Sequence, residues 1–113
     1  GATVIPMPGR QPGTEHKVDL AAMLLDLGRR EVNELHVEAG HKLNGSFIRE
    51  GLADELLVYL APKLLGPGSA LANFGPLASL DQGLALRFET VDLVGPDLRI
   101  RARVSGRDAF LHP

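Results

Sequence analysis

The sequence predicts an α/β fold, a mixed sheet with flanking helices that ends in a C-terminal antiparallel hairpin. Three observations carry this reading. Leu20, Met23, Leu24 and Leu27 recur at helical spacing. A strand, a glycine turn and a second helix follow one another between Leu35 and Gly51. Two alternating runs then flank Gly95, Pro96 and Asp97. At 113 residues with 44% apolar side chains, the chain has the size and composition of one domain with a hydrophobic core.

Ala2, Thr3, Val4 and Ile5 form a short apolar and β-branched run stopped by Pro6 and Pro8, which predicts a strand feeding a loop through His16. Asp19 is placed to cap the first helix, with Val18 and Met23 at the positions of a hydrophobic staple. Residues 28–33 end that helix and lead to a strand at Leu35 and Val37. Glu38, Ala39 and Gly40 follow, and glycine there is expected to allow a sharp turn and close approach of a ligand. The second helix begins near His41. Leu43, Phe47 and Ile48 share a face, Gly51 supplies a left-handed stop, and Leu52 folds back on Phe47 as in a Schellman motif. The first turn of this helix offers N–H groups to an anion, although many strand–glycine–helix units serve chain reversal alone.

Residues 56–61 are apolar at every position, as in a central strand covered on both faces. Between Pro62 and Gly83, scattered glycines and prolines predict an irregular connection with at most a short helical turn. The alternation from Leu84 to Leu93 changes phase between Phe88 and Val91, which predicts a bulge. In the return strand Leu98, Ile100, Ala102 and Val104 share one face and Arg99, Arg101 and Arg103 the other. That arginine face is read as solvated, with a cofactor phosphate or a second subunit as alternatives. Residues 106–113 lack periodicity and are read as a C-terminal tail, with Phe110 and Leu111 pinning it locally.

The block from Val37 to Gly66 resembles the reductase domain of the bacterial bifunctional riboflavin-biosynthesis deaminase–reductase, the RibD family. The carriers are Glu38-Ala39-Gly40 at the helix entry, Leu52-Ala53-Asp54-Glu55 before the strand, and Ala61-Pro62-Lys63-Leu64-Leu65-Gly66 after it. The likeness extends more weakly through Val91 to Leu98 and covers most of the chain from Asp19. It implies part of a dihydrofolate-reductase-like fold, namely the C-terminal half of a single partial reductase domain spanning residues 1–113. The N-terminal half of that domain and a deaminase domain are both missing. The chain begins at Gly1, which is read as a sign of processing or of a piece of something longer.

The resemblance also implies an activity: hydride transfer from NADPH to the ribose C1′ of a phosphoribosylaminopyrimidine substrate, leaving a ribityl chain. Glu38 matches the family's substrate-contacting carboxylate, although a helix cap or partner of a base is the plain alternative. Gly40, His41, Lys42, Leu43, Asn44, Gly45 and Ser46 match the cofactor-binding segment, with packing of the helix as the plain alternative for Asn44, Gly45 and Ser46. Amides near Gly40 to Leu43 are the expected pyrophosphate donors. His41 and Lys42 depart from the small or uncharged residues expected there, so they either add charge to a phosphate contact or are simply solvated. No catalytic residue is assigned. A related ribosylaminopyrimidinone reductase acting before deamination fits the same motifs, and so does a non-catalytic binding or self-association module. A homodimer is the expected assembly.

Other chemistry has little support. There is no cysteine, hence no thiolate nucleophile or cysteine-bound zinc. His16, His36, His41 and His112 lack metal-ligand spacing, so no metal is expected. Ser46, Ser69, Ser79 and Ser105 lack a nucleophile-elbow motif. A formal net charge of −2 without a basic run argues against nucleic acid. No apolar run approaches the roughly 18 residues of a membrane span, and no signal-peptide core opens the chain. A soluble, cytoplasmic protein is the expectation.

Overall fold

A computed structural model describes residues 1–107, so the expected anchors Phe110 and Leu111, and His112, lie outside the described residues. The chain forms two compact units, Gly1–Glu38 and Ala39–Pro113.

In the first unit Ala2 to Ile5 is not a strand. A strand exists through its hydrogen-bonded neighbour, and the unit's β-bridge lies further on, between Pro8 and Val18. The amide of Gly9 donates to the Lys17 carbonyl at 2.9 Å and that of Asp19 to Met7 at 2.8 Å, which closes the intervening loop. Helix α1, Leu20–Arg29, starts as expected, with the Asp19 carboxylate accepting the Ala22 amide at 2.9 Å. Leu20 is buried under it, while Val18, the outer member of the expected staple, stays exposed.

The end of α1 falls inside the expected window, but the left-handed residue is Glu31, at φ 66°. Val32 donates to Leu27 and Glu31 to Gly28, both at 3.0 Å, so a complete Schellman motif forms around a residue with a Cβ. The expected strand at Leu35 and Val37 is also absent; both side chains are exposed and no described segment pairs with them. Their alternation reports apolar faces, but a strand needs a partner ladder as well.

The second unit carries helix α2, His41–Arg49, and strands β1, Glu55–Leu60, β2, Leu86–Val94, and β3, Asp97–Val104. Gly51, at φ 67°, stops α2 as expected: its amide reaches Ile48 at 3.1 Å and that of Leu52 reaches Phe47 at 2.9 Å. All three strands pair antiparallel in the order β1-β3-β2. Among the described residues β1 is therefore an edge, whereas the uniformly apolar run 56–61 predicts a central strand. Leu57, Tyr59 and Leu60 are each about half exposed. Composition reports that both faces suit apolar cover, but not where in a sheet the strand falls.

The hairpin follows expectation closely. The β2–β3 register slips between Phe88 and Thr90, which is the bulge. Gly95, at φ 58°, takes the first central position of the two-residue turn, as tight hairpin turns of the II′ kind require. The connection from β1 to β2 is irregular apart from one 3₁₀ turn, Leu80–Gln82. Ala102, Val104 and Phe47 are the buried apolar centre of this unit. Beside them, Ile48, Leu56, Leu71, Ala72, Phe74, Leu84 and Leu86 line an open apolar cavity of about 260 Å³.

Candidate functional site

The start of α2 is built to leave its amides uncovered. Gly40 is the N-cap and no side chain caps the helix; the first turn holds no acidic residue but does hold His41 and Lys42. An α-helix leaves its first N–H groups without intrahelical acceptors and carries partial positive charge there, so this end favours an anion. Gly40 itself differs from expectation. Its φ of −75° and ψ of 171° are open to any residue, and an added Cβ would meet nothing within 4 Å. The backbone turn does not require glycine. Clearance for something outside the chain remains a reason to have it.

Asn44, Gly45 and Ser46 sit differently from the four residues before them. The Asn44 side-chain amide donates to two carbonyls, those of Ala39 and Leu71, each at 3.1 Å. The Asn73 amide donates to the His41 carbonyl at 2.8 Å. A Cβ on Gly45 would overlap the backbone carbonyl of Asn73, so the 71–73 segment lies directly on the helix where glycine leaves room. The Ser46 hydroxyl donates to the Lys42 carbonyl and accepts from Arg49, both at 3.2 Å, which keeps it within the helix. Of the seven cofactor-segment residues, Gly40, His41, Lys42 and Leu43 thus form the open end, and the other three face inward or bond locally.

Residues 71–73 were not singled out by sequence reasoning. The signal was Gly45, because a glycine inside a helix costs about 1 kcal/mol against alanine and usually marks a close approach. Glu38 is exposed and has no hydrogen-bond or ion-pair partner among the described residues. His36 pairs with Glu34 at 2.8 Å on the surface.

The arginine face of β3 is laced with acids from both neighbouring strands. Arg99 donates to Asp92 at 3.0 Å and Arg103 to Glu55 at 3.1 Å, while Arg101 stands 3.9 Å from the same Glu55. The hydrogen bonds to Asp92 and then Tyr59 raise the Arg99 pKa above the ordinary guanidinium value. Three guanidiniums thus share two carboxylates, and Arg103, with 12% of its side chain exposed, is largely buried, which differs from the solvated reading at that position.

Residues 3–100 match the family model described as the RibD C-terminal domain. Over 87 residues the chain is 40% identical to the riboflavin biosynthesis protein RibD of Escherichia coli K12, covering 74% of this chain and 24% of that protein. It is 33% identical over 85 residues to the 5-amino-6-(5-phosphoribosylamino)uracil reductase of Buchnera aphidicola from Acyrthosiphon pisum, covering 74% of this chain and 41% of the relative. A solved structure of Acinetobacter baumannii RibD superposes with a TM-score of 0.68 at 29% identity, over 84% of this chain and 25% of that one. The chain therefore spans between about a quarter and two fifths of the length of these relatives.

Proposed function

This chain belongs to the RibD C-terminal domain family, and on that premise we propose that it forms part of an NADPH-dependent 5-amino-6-(5-phosphoribosylamino)uracil reductase of riboflavin biosynthesis. The observation that carries the reading is the start of α2. An uncapped, acid-free helix end with an unobstructed glycine falls in the segment that the family resemblance assigns to the cofactor.

NADPH, when bound, supplies the hydride that reduces the ribose C1′. The chain's own task is placement and charge. The amides of Gly40, His41, Lys42 and Leu43 hold the pyrophosphate, and the Lys42 ammonium adds charge beside it. Glu38 accepts hydrogen bonds from the sugar and stabilises the iminium-like or oxocarbenium-like positive charge at C1′ that hydride then neutralises. Asn44, Gly45 and Ser46 support the helix behind this end. The remaining substrate and adenine contacts come from protein outside this chain.

The test is NADPH oxidation by the whole protein that carries this chain, with 5-amino-6-(5-phosphoribosylamino)uracil as substrate. Oxidation dependent on that compound is the expected result. Turnover only of the pyrimidinone that precedes deamination would move the chain to the related reductase, and no nucleotide binding at all would reject the enzyme reading.

A second reading, a self-association module, draws on the two sheet edges and on exposed Leu57, Tyr59, Phe88 and Leu93. Open edges present unpaired backbone groups that another strand can pair with, and a homodimer is the simplest closed form. Light scattering on the purified 113-residue chain tests it. Assembly unaffected by NADPH, with no nucleotide binding, would favour this reading over the first.

A further inference from the structure

We propose that Asn44 is a positioning residue that couples the 71–73 segment to the start of α2, an inference that rests on the cofactor reading above. Its amide has two protons, and both are engaged, one on the Ala39 carbonyl and one on the Leu71 carbonyl. The Ala39–Gly40 peptide is trans, like every other in the described chain. In a trans peptide C=O and N–H point in opposite directions. Drawing the Ala39 carbonyl toward Asn44 therefore turns the Gly40 N–H away from that side chain. One side chain thus sets the direction of the first cradle amide and holds the loop.

The same loop segment is held from a second side. Asn73 donates to His41 at 2.8 Å, and its carbonyl lies where a Gly45 Cβ would be. His41, Asn44 and Gly45 lie on consecutive turns of one helix, so loop docking and the geometry at residues 39–41 form one hydrogen-bonded network. Whatever favours the docked loop favours the cradle, and by linkage a bound anion favours the docked loop.

Asn44→Asp keeps the shape and replaces the donor nitrogen with a carboxylate oxygen facing two carbonyls. In the whole protein, KM for NADPH is expected to rise about tenfold, with kcat and KM for the pyrimidine within about twofold of wild type, and the Asn73 amide should exchange faster with deuterium. A side chain serving the fold alone would lower the active fraction and leave both KM values in place. Gly45→Ala reaches the same loop by steric displacement with Asn44 intact, and the same one-sided rise in KM is expected. Wild-type NADPH affinity in either folded variant, despite faster exchange at Asn73, would overturn the coupling while leaving the cofactor reading standing. A wild-type protein that does not bind NADPH would overturn both.

Discussion

Alanine in place of Gly45 should destabilise the protein, against the usual sign for glycine-to-alanine inside a helix. Helix propensity alone favours alanine by about 1 kcal/mol. The new Cβ, however, overlaps the Asn73 carbonyl, and neither side yields without loss: one is helix backbone and the other is a loop backbone tied to His41 and Asn44. Displacing the loop loses the Asn73–His41 and Asn44–Leu71 hydrogen bonds, each worth about 1 kcal/mol. If Leu71, Ala72 and Phe74 also leave Ile48 and Leu56, exposing on the order of 80 Å² of apolar surface costs about 2 kcal/mol more. The net loss is then roughly 1 to 3 kcal/mol. Gly28 in α1 is the internal control, since a Cβ there meets nothing within 4 Å; Gly28→Ala should be neutral or stabilising by up to about 1 kcal/mol. Urea denaturation of the two variants beside wild type gives both numbers. Gly45→Ala as stable as Gly28→Ala would show that residues 71–73 do not rest on the helix.

Two further outcomes follow from single residues. Glu31→Gly should raise stability by about 1 kcal/mol, because it relieves a left-handed backbone at φ 66° while keeping the Schellman hydrogen bonds; a lower melting temperature would count against this helix stop. Glu38→Gln should slow single-turnover hydride transfer at saturating NADPH by about two powers of ten, equivalent to roughly 3 kcal/mol in the barrier, with the melting temperature unchanged because this exposed side chain has no described partner. An unaltered rate would remove Glu38 from the chemistry.

What could be read from the sequence was what local physics determines. Asp19 capped α1, Gly51 stopped α2, the phase change after Phe88 became a bulge, and Gly95 turned the hairpin. Each of these depends on residues a few positions apart. What was not legible depends on partners distant in sequence. Ala2 to Ile5 and the Leu35 region have strand composition without a paired neighbour. The run 56–61 has central-strand composition, but its strand residues 56–60 lie at an edge of the described sheet. At the candidate site, the motif matched residues 40–46, with amides near residues 40–43 as the expected donors and helix packing left open for residues 44–46. The contacts of Asn44 and Gly45 with residues 71–73, nearly thirty positions away, identify what the supporting part packs against.

Gly40→Val gives the most direct test of the cradle. The backbone angles at this position suit any residue and the space around it is open, so replacing the N-cap glycine should cost the fold no more than about 1 kcal/mol. A branched side chain there would nevertheless obstruct a pyrophosphate approaching the first amides of α2. Calorimetric titration of NADPH into the whole protein, paired with a thermal melt, should show affinity reduced at least tenfold in a variant that still folds. A folded Gly40→Val protein that binds NADPH as tightly as wild type would contradict the assignment of the cofactor to this end of the helix.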